Sequence, residues 1–374
     1  LTWGLGIGDW GLGIGDWGKL FHSLFGVNYH VAMIVSAIII ILYTTLGGFL
    51  AASTTDFVQS IVMSIALIVI LLFGVNVAGG LDAVIKNAAE LPGYLSMTHM
   101  YDATAQTSTP YSLLTIVSTC ACGLGYFGMP HILLRFMAIE DENKVALSRR
   151  VASVWVVISM AASVLIGVVG YTMSKVGALE VLTGTNSETI IVRVADLMSR
   201  NGIVFAFIAG VVLSGILAST MSTSDSQLLA ASSSMSNDII NGYFNKNYDQ
   251  KTLLKISRLC LLAIALIGMV LAWDPNGSVF QIVSFAWAGF GASFGPVVLL
   301  ALFWKNSNKW GALSGMISGG AMIFIWKFLI KPIGGIFGIY ELLPAFILAL
   351  VVNVVVSLVS GGAQESVQRE FEEV

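Results

Sequence analysis

Between Gly210 and Gln227 the chain reads GVVLSGILASTMSTSDSQ, a hydroxyl density unlike that of a helix facing lipid. Ser222 and Thr223 are adjacent and Ser219 lies a turn earlier, so two hydroxyls and a backbone carbonyl can converge on one point. Neutral oxygens gathered in this way suit a hard cation such as Na+. One helix cannot surround an ion, so the remaining ligands must come from a facing element. The same hydroxyls can also bond back to carbonyls one turn earlier or join neighbouring helices. Asp225 follows two residues on. A carboxylate in an apolar helix is costly and marks an ion path or gate, unless it faces a water-filled inner vestibule.

A second constellation is Cys122-Gly-Leu-Gly125-Tyr126-Phe127-Gly128-Met129-Pro130-His131, followed by Arg135. Its glycines remove side chains, and Pro130 removes a backbone donor and disfavours helix at Met129. The helix should kink or unwind here, as broken helices do where they line a cavity, with Tyr126 and Phe127 as aromatic walls for a small solute. Close helix packing is the other use of such glycines. His131 lacks partners at metal-ligand spacing and reads as a packing residue. A third stretch, LGGFLAASTTDFVQ from Leu46 to Gln59, reads as a Gly-rich cytoplasmic turn. There Thr54 or Thr55 caps the next helix and Asp56 complements its positive end, with an ion-path or gating role for Asp56 as the alternative. A fourth, SFAWAGFGASFGP from Ser284 to Pro296, has the small residues of close helix packing.

The elements that hold these residues are membrane helices. Of the 374 residues 56% are hydrophobic and only 10% charged, and mean hydropathy is +0.87. Apolar segments near 30–50, 57–79, 112–138, 151–175, 201–235, 254–273, 278–304, 310–330 and 337–360 each approach the roughly 20 residues that cross a bilayer. Arg135, Lys144, Arg149 and Arg150, then Lys246, Lys251, Lys255 and Arg258, then Lys305 and Lys309, fall in alternate loops. The positive-inside rule makes those loops cytoplasmic. The Gly80–Tyr111 and Lys175–Arg200 connections are then external and the charged tail 361–374 is cytoplasmic.

The net charge of −3 and the lack of a basic run argue against nucleic-acid binding. Cys120, Cys122 and Cys260 fit neither a disulfide framework nor a zinc cluster. No catalytic triad, nucleotide loop or paired metal ligands stand out, so the reading is not an enzyme and needs no cofactor. The chain lacks a starting methionine, and residues 4–10 and 11–17 repeat GLGIGDW. The expectation is a chain missing its first helices, with 1–29 an external loop remnant, 30–360 a nine-helix core and 361–374 a tail.

Four stretches, ILYTTLGGFLAASTTDFVQ, GLGYFGMPHILLRFMA, STMSTSDSQLLAASS and VSFAWAGFGASFGPVVL, occur in the order and spacing of one family. The chain resembles the sodium:solute symporter family, and within it the sodium/proline symporters, from about Phe21 to the tail. The resemblance implies an all-α polytopic plasma-membrane protein of inverted-repeat, leucine-transporter-like fold, of which nine of about thirteen helices are present. It implies Na+-coupled uptake of a small solute, L-proline, by alternating access. Ser222 and Thr223 match the sodium-binding hydroxyl pair, Tyr126 and Pro130 match residues lining the proline site, and Asp56 matches an aspartate that influences transport.

Cys122 departs from the pattern, since Trp is typical there and helps form the substrate pocket. Another solute such as pantothenate is therefore the alternative, and a non-transporting sensor or a channel a further one. The family's first core helix, which supplies other solute contacts and sodium oxygens, is absent, so the chain is not expected to transport alone.

Overall fold

The computed structural model describes residues 18, 20–22, 26–102, 105–244, 248–273 and 279–373. The GLGIGDW repeat and Lys246 lie outside them. Among the described residues seven helices are long and apolar enough to cross a membrane, or eight if the bent pair Leu113–Gly128 with Pro130–Met137 counts as one span. The chain is thus a helical, multi-span membrane protein. It divides into two compact units, one of residues 111–138 and 280 onward, the other of the described residues up to 110 together with 139–279.

In the larger unit the first element is α1, Tyr29–Val77, a run of 49 residues with non-helical dihedrals at Gly48 (φ 61°, ψ −156°). A straight helix of that length would extend about 74 Å, over twice the hydrocarbon thickness of about 30 Å. The positive φ that only glycine adopts readily is what breaks it. The expected segments 30–50 and 57–79 are joined in this one element, which accounts for the difference from nine separate spans. The break at Gly48 falls within the expected Gly-rich stretch, but the expected capping does not. Thr54 Oγ1 donates to the Leu50 carbonyl at 2.9 Å and Thr55 Oγ1 to that of Ala51 at 3.0 Å. Both are thus helix-interior residues rather than caps, and Asp56 does not open a helix.

The second arm of α1 packs on α5, Val145–Lys175, and on α7, Ile203–Ser233. Gly215 of α7 sits on Ala66 and the Val62 carbonyl, and Gly74 sits on Val169 and Met173 of α5. Close approach through small residues is how helices associate in a medium as apolar as their own side chains. Together with α6, Ile190–Ser199, these helices bury Ile70, Met173, Met198 and Val212. A short helix α2, Leu81–Ala89, and a hairpin of β1, His99–Asp102, with β2, Thr107–Pro110, fill the expected external loop. That hairpin is the exception to an otherwise helical chain among the described residues. Helix α8, Gln250–Leu271, completes the unit, and Tyr29 donates its hydroxyl to the carbonyl of Ala272 at 2.8 Å.

The smaller unit holds α3, Leu113–Ala121, the 3-10 turn Cys122–Gly128, α4, Pro130–Met137, then α9, Val279–Phe303, α10, Lys309–Ile325, and α11, Leu342–Val359. Gly311, Gly315 and Gly319 recur every fourth residue on α10. They bring its backbone against Asn353, Ala349 and Ser357 of α11, and Gly319 also meets the Ala292 carbonyl of α9. Asn308 caps α10, its Oδ1 accepting from Gly311 N at 2.9 Å while Nδ2 donates to the carbonyl of Gly362 at 2.9 Å. The tail then forms α12, Glu365–Glu373, a short charged helix.

Candidate functional site

In the larger unit α7 presents the hydroxyl cluster as the sequence implied. Ser222 Oγ and Thr223 Oγ1 both donate to the carbonyl of Ser219, each at 3.3 Å. Ser222 and Ser219 are half-buried and Thr223 is exposed. The two hydroxyl oxygens and one carbonyl oxygen thus share a single helical turn. Each hydroxyl oxygen keeps lone pairs for a ligand even while its proton is donated back. The alternative use is visible too, because Ser214 Oγ donates to the carbonyl of Gly210 at 2.9 Å and Thr220 Oγ1 to that of Leu217 at 3.0 Å.

Adjoining this turn, the two arms of α1 converge on α7. Asp225 is fully buried, so of the two settings its sequence allowed this structure shows the enclosed one. Tyr43, from the first arm, donates its hydroxyl to Asp225 Oδ2 at 2.9 Å. Ser226 Oγ lies 3.1 Å from Asp225 Oδ1, 3.5 Å from Asp56 Oδ2 on the second arm and 2.8 Å from the Ser222 carbonyl. One hydroxyl proton cannot serve three acceptors at once, and the shortest contact is to the Ser222 carbonyl, which sets the Ser226 oxygen between the two carboxylates. The sequence singled out Asp56 and Asp225 separately and missed Tyr43 and Ser226. Ser226 was signalled by the hydroxyl run, and Tyr43 only by being a phenol within an apolar stretch.

In the smaller unit the expected break is present. Residues Cys122–Gly128 tighten into a 3-10 turn, Met129 is extended (φ −80°, ψ 106°) as the residue before proline prefers, and Pro130 opens α4. The two halves are bent by 47°. The glycines serve packing as well. A Cβ on Gly128 would meet the Phe290 carbonyl oxygen at 2.3 Å, and one on Gly125 would meet the Trp287 indole at 1.9 Å. Tyr126 and Phe127 are 53% and 42% exposed, so both rings remain available as walls, and Cys122 is exposed beside them. Trp287 of α9, which the sequence reading took for packing, donates Nε1–H to the Cys122 carbonyl at 2.9 Å and stands edge-on to the Tyr126 ring at 4.7 Å.

The stretch between α10 and α11 covers the start of this region. Tyr340 N–H donates to Ser118 Oγ at 3.0 Å and its hydroxyl to the Ser284 carbonyl at 2.5 Å. Burial, with Cys122 and Glu341 adding to it, raises the Tyr340 hydroxyl above its ordinary pKa. Next to it the buried carboxylate of Glu341 is held by Lys331 at 2.7 Å and Lys327 at 3.3 Å. Burial alone would raise its pKa. The Lys331 hydrogen bond and the two ammonium charges outweigh that and hold the carboxyl below the usual range.

The model of the sodium:solute symporter family matches residues 14–319. The high-affinity proline transporter PutP of Bacillus subtilis is 38% identical over 355 residues, covering 94% of this chain and 70% of the relative. The osmoregulated proline transporter OpuE of the same organism is 35% identical over 353 residues, 94% of this chain and 68% of the relative. A sodium/proline symporter of Staphylococcus aureus is 36% identical over 345 residues, with 91% and 64% covered. The chain therefore spans about two thirds of the length of these relatives. A solved Na+-coupled sialic acid symporter, in a substrate-bound outward-open state described as revealing a novel Na+ site, superposes with a TM-score of 0.75. The superposition covers 98% of this chain and 74% of that one at 15% identity, a likeness of fold. Each relative is a transporter by name, and the chain belongs to the sodium:solute symporter family.

Proposed function

We propose that this chain carries part of a secondary transporter that couples Na+ entry to uptake of L-proline across the plasma membrane by alternating access. The proline transporters among its relatives support the solute. The observation that carries the coupling is the turn at Ser219, where two hydroxyls meet one carbonyl beside the buried carboxylate of Asp225 and the half-buried one of Asp56. Ser219, Ser222 and Thr223 supply neutral oxygens to Na+. Asp56 and Asp225, joined through Ser226, form the path along which the ion leaves, since two carboxylates this close in an apolar setting favour a passing cation. Tyr126, Phe127, Pro130 and Cys122 line the solute site on the broken segment. Residues 30–360 form the transport core, with the arms of α1 as separate crossings and the tail 361–374 cytoplasmic.

One Na+ entering gains about 2.3 kcal/mol per 100 mV of membrane potential, and about 1.4 kcal/mol is a tenfold concentration ratio, so a single coupled ion drives concentrative uptake. The test is uptake of labelled proline by proteoliposomes holding the full-length protein, under an inward Na+ gradient and then an equal K+ gradient. Saturable uptake with Na+ alone is the expected result. Absence of proline uptake by folded protein would move the solute to another small carboxylate such as pantothenate, for which the departure at Cys122 is the reason.

A further inference from the structure

The geometry points to Trp287 as the residue that reads the solute's ring, a role that rests on the solute site proposed above. Three contacts within one unit place it there. Its Nε1–H bonds the carbonyl of Cys122, its indole lies on the bare Cα of Gly125, and its ring meets Tyr126 at 84°. A side chain held at three points keeps one orientation. Trp287 and Tyr126 then form an aromatic corner on the broken segment, beside the exposed thiol of Cys122. Trp287 is half-buried and Tyr126 more than half exposed, so the corner is open to a ligand.

Two aromatic rings at right angles receive a compact cyclic ammonium better than an open chain, because the ring C–H groups carry part of the positive charge and meet both π-systems. A cyclic imino acid such as the proline proposed above fits such a corner, and Trp287 of α9 supplies its discriminating ring. A packing residue would lower uptake of every solute alike. A reading residue changes their ratio.

The experiment measures Na+-driven uptake of proline, pipecolate, alanine and pantothenate by the full-length wild type, Trp287→Phe and Trp287→Ala, with thermal stability of each purified protein recorded. Trp287→Phe keeps a ring and loses the donor, which guards against loss of the fold in Trp287→Ala. We expect the half-saturating proline concentration to rise about tenfold in Trp287→Phe, with the proline-to-alanine preference falling by a similar factor. Adding Cys122→Trp to Trp287→Ala should recover part of the preference. An unchanged preference in folded variants overturns the role of Trp287, whichever solute the wild type takes up. Wild-type uptake of another solute of the four, with the preference among solutes still moved by Trp287, overturns the proline reading alone and leaves Trp287 as the discriminating residue. A wild type that takes up none of the four overturns both.

Discussion

The continuous helix α7 and the broken segment Cys122–Pro130 build polar sites in opposite ways. On α7 the backbone stays helical, so side chains gather around an unbroken main chain: Ser222 and Thr223 meet the Ser219 carbonyl, and Asp225 and Ser226 meet Tyr43 and Asp56. In the broken segment, side chains are deleted at Gly125 and Gly128, the backbone is bent, and a main-chain carbonyl is held by the Trp287 indole. The first design tolerates changes of shape and is sensitive to charge. The second is sensitive to shape.

The largest expected effect tests shape. Gly128→Ala would drive a methyl to 2.3 Å from the Phe290 carbonyl and 2.9 Å from Gly291 Cα, both backbone atoms that cannot swing away. For Gly125→Ala the nearest atoms belong to the Trp287 side chain, which can yield where a main chain cannot. Overpacking costs about 1–3 kcal/mol, so Gly128→Ala should abolish uptake and lower the melting temperature sharply, while Gly125→Ala folds with weakened uptake. Equal thermal stability of the two variants in detergent would end the argument that backbone contact sets the limit.

Charge is the next test. Asp56→Asn and Asp225→Asn are nearly isosteric and keep oxygen acceptors, so they remove charge with little change of volume. Each should raise the Na+ concentration for half-maximal uptake by about ten- to a hundredfold, since each ten-fold corresponds to about 1.4 kcal/mol of lost attraction for the ion. Asp225→Asn should be the more severe for stability, because Tyr43 and Ser226 both bond that carboxylate. Sodium titration of uptake decides it, and an unchanged sodium dependence in both variants would remove them from the ion path.

Ser222→Ala and Thr223→Ala delete one neutral oxygen each. The expected shift in sodium dependence is about three- to tenfold, on the scale of about 1 kcal/mol for one neutral hydrogen-bonding group. The fold should hold, since each hydroxyl bonds only back to its own helix. A fall in thermal stability without a change in sodium dependence would return both to the role of helix glue.

What the sequence revealed divides along the same line. The break was legible because Pro130 and the glycines act through covalent geometry, and the convergence on Ser219 because it spans a single helical turn. The bond from Tyr43 to Asp225 joins residues 182 apart and that from Trp287 to Cys122 residues 165 apart, and local pattern contains neither. The capping role given to Thr54 and Thr55 followed from a polar run after a Gly pair. Capping rules describe a helix end, and here the end lies at Gly48, upstream of the run.

Glu341 provides the control outside both regions. Its carboxylate is buried, but its partners Lys331 and Lys327 are 36% and 31% exposed, so water can replace much of what they provide. Glu341→Gln should cost only about 1 kcal/mol after that screening and leave sodium dependence unchanged. Because the folded carboxyl is held below the ordinary value of about 4.3, its contribution is complete above that pH and is lost as the pH falls from there through the folded value. Melting temperatures of the wild type should therefore drop more steeply than those of Glu341→Gln on acidification below about pH 4.3 and run parallel above it. Parallel curves throughout would mean that the two lysines hold the carboxylate no better than water does.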